Sequence, residues 1–270
     1  MDEIKKEKKM SLVERIDHGA ISRLLLNQPS RLNVLSEDLL NTLQAELDSL
    51  RESKNVRCVI ISGAGNGFCA GHDLKEMTTQ RQNSDGGVAY FQDLFVRCSK
   101  MMTSIQSLPQ PVIAQVHGIA TAAGCQLVAS CDLAVADESA RFGVNGVNIG
   151  LFCSTPMVAL TRAVGRKRAF EMLVTGQFME AKEAKEIGLI NKISEIDQLE
   201  KTTEELAVQI ANKLGEAVKI GKEAFYKQAE MNLKDAYDYT GTVMAENMML
   251  EQTKKGINFF LDKKTPEWDQ

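Results

Sequence analysis

Leu12–Asp17 and Ala20–Leu26 read as two strands around a His18–Gly19 turn, which predicts a β-hairpin. Asn27-Gln28-Pro29-Ser30 then breaks the pattern. Ser36 is a good helix cap, and Leu39, Leu43, Leu47 and Leu50 follow at helical spacing. They predict an amphipathic helix from about residue 37 to 52. Val56–Ser62 is a short apolar run, read as a buried strand. A glycine-rich loop follows from Gly63 to Asp73, and Asp73 is placed to cap the next helix. The polar segment 78–87, with Gly86-Gly87, reads as a loop. Tyr90–Leu108 reads as a helix ended by Pro109 and Pro111. Val112–Val116 predicts a strand, His117–Thr121 a loop, Ala122–Ser130 a short helix and Leu133–Ala136 another strand. Strands alternating with helices predict an α/β fold with crossover connections. From about Ala181 onward the pattern is almost entirely helical, including one helix from about Lys234 to Leu261.

Composition narrows the class. At roughly 100–200 residues per domain, 270 residues allow one large domain or two small ones. Hydrophobic residues at 44% and charged residues at 25% are ordinary for a globular domain and exclude disordered and fibrous chains. The net charge of −4 gives no global basic field, which counts against nucleic-acid binding. The most apolar stretch, Val112–Ala136, is interrupted by Gln115, His117, Gln126 and Asp132, so no membrane span is expected. The cysteines at 58, 69, 98, 125, 131 and 153 form no CxxC pair, and no metal site is expected. They read as buried, reduced thiols in a reducing compartment. Residues 1–10 mix Lys5, Lys6, Lys8 and Lys9 with three acids and read as a charged tail. They lack the Arg-rich, acid-poor character of a mitochondrial presequence.

Two loops carry the candidate chemistry. One is Phe68-Cys69-Ala70-Gly71-His72-Asp73-Leu74-Lys75, and the other runs from Gly118 to Gln126. Each follows an apolar strand and leads into a helix. A helix start leaves free backbone N–H groups and favours negative charge. Two such starts facing each other can hold one oxygen, as in an oxyanion hole; tight packing turns explain the same spacing. Gly63-x-Gly65-x-Gly67 does not have the dinucleotide-binding spacing, and no Walker lysine follows it.

The segment Ile113–Leu133, with Ala122-Ala123-Gly124 and Cys131-Asp132-Leu133, resembles the signature of the enoyl-CoA hydratase/isomerase family, the crotonases. So do Pro29–Leu35, Phe68–Met77, Arg141-Phe142-Gly143, Leu160–Gly165 and the tail from Gly256 to Trp268. The likeness covers about 12–268. It implies a crotonase-type spiral of ββα units over 11–198 and a helical C-terminal trimerisation region over 199–270, assembling as a homotrimer or dimer of trimers. It further implies a CoA thioester as substrate or ligand, no separate cofactor, and a place in fatty-acid metabolism. The implied compartment is the mitochondrial matrix with a presequence removed, the cytoplasm being the other reading. Carried over by position, the oxyanion hole is formed by the backbone N–H groups of His72 and Ala123. Ala70, His72, Asp73, Leu74 and Lys75 run along the CoA moiety. Phe260 and Lys263 match an aromatic and a lysine that reach its nucleotide; a helix-packing aromatic and a surface lysine are the plainer readings.

The chain departs from the family at the two catalytic glutamates, where it has Gln126 and Gly146. A carboxamide does not exchange protons at neutral pH, and each positioned acid or base is worth about 10²–10⁴ in rate. Hydration of enoyl-CoA is therefore expected to be weak or absent. The alternatives are another crotonase reaction (hydrolysis, decarboxylation or isomerisation) built on the oxyanion hole, or a non-catalytic partner subunit of active relatives. Asn145 and Asn148 are of a type to orient a water or a substrate carboxylate, or simply to cap loops. His72 could serve as a base or only pack, Cys153 has no base near it in sequence, and His117 reads as a turn residue.

Overall fold

The computed structural model describes residues 11–266 and Trp268; the charged tail over 1–10 lies outside the described residues. The strands are β1 (Val13–His18), β2 (Ile21–Leu26), β3 (Cys58–Gly63), β4 (Val112–Val116), β5 (Ile119–Thr121), β6 (Leu133–Asp137), β7 (Arg141–Gly143), β8 (Met179–Glu180) and β9 (Lys192–Ser194). The helices are α1 (Glu37–Arg51), α2 (Leu74–Gln80), α3 (Val88–Ser107), α4 (Ala123–Ser130), α5 (Ser154–Ala163) and α6 (Arg166–Thr175). They continue with α7 (Ala181–Glu186), α8 (Leu199–Ala211), α9 (Gly215–Gln228), α10 (Leu233–Met248) and α11 (Glu251–Leu261).

The larger sheet has the order β1-β2-β3-β4-β6-β9. The β1–β2 hairpin turns at Gly19 in the left-handed region, and every later pairing in this sheet is parallel. Parallel neighbours require crossovers, and helices on both faces bury the central strands. Cys58 to Ser62 of β3 are accordingly buried in succession. On one face α1 buries Leu39, Leu40, Leu43, Leu47 and Leu50, and the Ser36 hydroxyl caps it by accepting from the Leu39 N–H at 3.3 Å. On the other face α8 packs Leu199, Ala207 and Ala211 against Ile21, Ile60, Ile113 and Val135. Arg23 reinforces this contact, donating to Gln115 at 2.7 Å and pairing with Glu200 and Glu204. The smaller sheet, β5-β7-β8, lies beyond the end of β4.

Four sequence expectations need correction. Residues 78–87 are not all loop: α2 runs to Gln80, and Asp85 accepts from the Gly87 and Ala89 N–H groups at the start of α3. The predicted His117–Thr121 loop contains β5, which pairs in parallel with β7 over three residues, too short to show a period. The tract after Ala181 contains β9, clipped to β6 by Asn191, whose backbone and side chain both pair with Ala134. The helix predicted from Lys234 to Leu261 is two helices. Leu250 turns extended between them, and Asn247 donates to Thr253 across the corner at 3.1 Å.

The helix α9 is fixed to the core by one buried ion pair. Lys222 Nζ donates to Asp132 Oδ2 at 2.6 Å and to the carbonyls of Ile105 and Gln110 at 3.0 and 2.9 Å. Asp132 also accepts from the Val112 N–H and the Tyr226 hydroxyl. The ammonium thus has three acceptors for three protons. With α8 on the sheet and α9 pinned to it, only α10 and α11 contain no buried residue among the described helices that follow β9. No helix among the described residues is long and apolar enough to cross a membrane.

Removing one partner of a buried pair strands the other charge, typically at a cost of about 3–5 kcal/mol. Lys222→Met should lower unfolding stability by this order in urea titrations, and Lys222→Met with Asp132→Leu should recover part of the loss. A stability change below about 1 kcal/mol for the single variant would show that the clamp contributes little.

Candidate functional site

The site is built where the chain leaves β3 and β4. Asn33 is fully buried, and its carboxamide nitrogen donates to the carbonyls of Ala64, Gly67 and Phe68 at 2.9, 2.9 and 3.2 Å. Its oxygen accepts from the Gln28 N–H at 2.9 Å. One side chain thus sets the path of the glycine loop. Beyond it the two loops run side by side: Cys69 N–H donates to Ile119 O, and Thr121 N–H donates to Cys69 O. The contact is too close for side chains. A Cβ on Gly124 would lie 2.1 Å from the Cys69 carbonyl oxygen. Gly71 sits at φ +85°, and a Cβ there would lie 3.0 Å from Thr121 O and 3.2 Å from Ala123 N.

This packing brings the backbone of His72 beside the first turn of α4. The N–H groups of His72 and Ala123 have no acceptor among the described residues. Ala122, before the helix, takes φ 50° and ψ −118°, held by its N–H donating to Gly143 O at 2.9 Å. Such backbone is sparsely populated for a residue with a Cβ and costs roughly 1–3 kcal/mol. A cavity of about 400 Å³ opens beside these amides. Its apolar wall includes Leu74, Met77, Phe95 and Phe152, and its polar wall includes Thr121 and Asn145.

Ala70, His72, Leu74, Ala123 and Gly146 all line this cavity. Gln126 is buried in α4 and is not among the lining residues; its carboxamide oxygen has no hydrogen-bond partner among the described residues. Asp73 is turned inward. It caps α2 by accepting from the Lys75 and Glu76 N–H groups and forms an ion pair with Arg31. Lys75 is exposed on α2. Phe260 lines a separate cavity of about 490 Å³ between α9, α11 and Trp268, with Lys263 just past the end of α11. No residue lines both cavities. Sequence reasoning did not single out Phe95 or Thr121. Phe95 belongs to a helix whose period marks it only as packing, and Thr121 belongs to a strand too short to recognise.

The His72 ring packs edge-on against Phe95 with centroids 5.7 Å apart, and both nitrogens are enclosed without a well-aligned partner. Burial pulls its pKa down to about 4, with Arg97 acting in the same direction and the Leu35 backbone partly opposing. The ring is neutral at pH 7 and too weak a base for proton abstraction there. Burial raises the Cys153 thiol, with the Gly146 backbone partly opposing, so no thiolate nucleophile stands at the cavity wall. The His117 Nε2 meets Gly65 O at 2.8 Å, which makes it a turn residue. Asn148 spends its amide on Gly176 O. Gly146 sits where no side chain fits. A Cβ there would lie 2.3 Å from the Leu151 carbonyl oxygen and 2.9 Å from Cys153 Sγ.

The sequence model of the family described as enoyl-CoA hydratase/isomerase matches residues 17–270. Enoyl-CoA hydratase domain-containing protein 3, mitochondrial, from Xenopus laevis is 45% identical over 93% of this chain and 84% of its own length. The human protein of that name is 44% identical over 92% of this chain and 80% of its own. The crystal structure of the human protein superposes with TM-score 0.90 at 42% identity, covering 95% of this chain and 99% of that one. The crystal structure of an enoyl-CoA hydratase from Mycobacterium smegmatis gives 0.91 at 48%, covering 96% and 99%.

Unfolding exposes His72 to protonation near its ordinary value of 6.5, whereas the folded site resists it down to about 4. The contribution of the buried neutral ring to stability is thus fully present above about pH 6.5 and is lost as pH falls towards 4. The melting temperature of the native protein should fall over that window more steeply than that of His72→Gln; parallel curves would refute the assignment. A second variant tests the loop. Gly146→Glu should lose about 1–3 kcal/mol through overpacking, read by thermal melting, while Gly150→Ala, where a Cβ meets nothing within 4 Å, should lose less despite its positive φ.

Proposed function

The chain belongs to the enoyl-CoA hydratase/isomerase family, and from that premise we propose that it binds an acyl-CoA or related thioester and has little or no hydratase activity. The observation that carries this reading is the pair of unpaired amides of His72 and Ala123 at the mouth of a cavity with no carboxylate among its described lining residues. Two N–H donors aimed at one thioester oxygen polarise the carbonyl. Such a donor is typically worth about 10²–10³ in rate when negative charge develops on that oxygen. Hydration also needs groups that deliver and remove protons around a water. Gln126 and Gly146 supply neither, His72 is too weak a base, and Cys153 is held as a thiol. The same donors also suit an enolate or tetrahedral anion, which keeps thioester hydrolysis or decarboxylation open to a substrate carrying its own leaving group.

The remaining parts of the reading rest on the relatives. Ala70, Leu74 and Lys75 would flank the pantetheine, while Asp73 shapes the loop from within. Within one chain Phe260 and Lys263 lie away from the cavity, so they would reach a CoA nucleotide held by another copy. The helices α10 and α11 support assembly: Leu233, Tyr237, Met244, Met248, Met249, Phe260 and Leu261 are all exposed on them. This many exposed large apolar residues on two consecutive helices and their connection is the kind of surface an interface covers, and a homotrimer or dimer of trimers would cover it. The mitochondrial names of the vertebrate relatives support the matrix as the compartment, and a CoA thioester ligand fits fatty-acid metabolism as the setting.

Isotope-edited infrared spectroscopy of a bound ¹³C-carbonyl acyl-CoA should show the carbonyl stretch shifted to lower frequency than in water. In the same preparation crotonyl-CoA hydration should be slower than that of a two-glutamate hydratase by about 10⁴ or more, since two proton-transfer groups are missing. An unshifted carbonyl, or rapid turnover of crotonyl-CoA, would overturn the reading.

A further inference from the structure

Resting on the thioester-binding reading, we propose that the acyl end of this cavity is built to hold a neutral oxygen substituent on the acyl chain, and that Asn145 determines this specificity. The Thr121 hydroxyl donates to Asn145 Oδ1 at 2.6 Å. That bond fixes the orientation of the carboxamide. The Asn145 NH₂ group has no acceptor among the described residues and is not enclosed as a buried orphan, so both its protons are free at the cavity wall. Thr121 lies two residues before Ala123, and its carbonyl is among the atoms closest to Gly71. The amide donor therefore shares one cavity with the proposed oxyanion donors, tied through Thr121 to the strand that leads into Ala123.

The charge balance selects the partner. No Asp, Glu, Lys or Arg is among the described lining residues. A carboxylate on the acyl chain would lose its hydration with no cation to replace it, a large cost. A hydroxyl or ketone oxygen needs only a neutral donor, and the Asn145 amide supplies one. A plain alkyl or alkenyl chain would cover that amide without satisfying it, which costs about 1–3 kcal/mol for a buried group. Discrimination of this kind is strong because the penalty falls on the wrong ligand. Asn148 also lines the cavity, but one of its two amide protons is donated to Gly176 O at 3.2 Å, which leaves it less free to share the role.

The test is isothermal titration of the full chain with three four-carbon thioesters, butyryl-CoA, 3-hydroxybutyryl-CoA and 3-oxobutyryl-CoA, and with malonyl-CoA, whose carboxylate takes the place of the last two carbons. The hydroxy or oxo compound should bind about 5–100-fold more tightly than butyryl-CoA, and malonyl-CoA more weakly than either. The better of the two oxygenated ligands then distinguishes a hydroxyl from a carbonyl. Asn145→Ala should abolish the preference by tightening butyryl-CoA binding towards that of the oxygenated ligands, since the amide that an alkyl chain leaves unsatisfied is gone, and Thr121→Val should reduce the preference by unlocking the amide. Equal binding of butyryl-CoA and both oxygenated ligands by the native protein, or tightest binding of malonyl-CoA, overturns this inference but leaves thioester binding intact. Failure of all four to bind overturns the thioester reading itself. The native comparison decides the point even if Asn145→Ala does not fold.

Discussion

The closest contact between the two functional loops is the constraint on which the site depends. Gly124 lies so near the Cys69 carbonyl that any side chain would collide, and Gly71 fits against Ala123 only in the left-handed region. These contacts bring two loops that are distant in sequence side by side at one wall of the cavity. Asn33 holds one loop in place through three carbonyls, and Gly143 holds the other through the Ala122 N–H. The strain at Ala122 is sustained by this surrounding packing. The larger sheet, α1 and α8 together form the rigid base from which both loops project.

Much of this was legible in the sequence because it rests on periodicity and turn chemistry. The leucines of α1, the Ser36 cap, the hairpin at Gly19 and the apolar run of β3 each announce themselves locally. The elements missed are those set by tertiary contact. The three residues of β5 and of β9 are strands only because β7 and β6 lie beside them. The corner at Leu250 carries no glycine or proline, so the pattern runs through it unbroken.

The site was legible in outline for a different reason. Spacing alone suggested two neighbouring strand-to-helix loops, which do run side by side, and the family resemblance named the two backbone amides proposed as donors. What the sequence withheld was the direction of the side chains. Asp73 stands in a ligand-binding stretch yet turns inward to Arg31 and its own helix. His72 brings an imidazole to the mouth of the cavity and buries both nitrogens against Phe95 and Leu35. Asn145 and Asn148 are alike in sequence, but one is tied to Gly176 and the other keeps its donors.

The contact at Gly146 also bears on how such a chain can change over generations. The Leu151 carbonyl and the Cys153 sulfur lie within 3 Å of where a first side-chain atom would go. A single substitution that placed a carboxylate there would meet the Leu151 backbone before it reached the cavity. The loop after Gly146 would have to be redrawn first, by changes that offer no catalytic gain of their own. The contact at Gly146 therefore works like a ratchet: the position is closed to any side chain, and the order of mutations needed to open it is unfavourable at its first step.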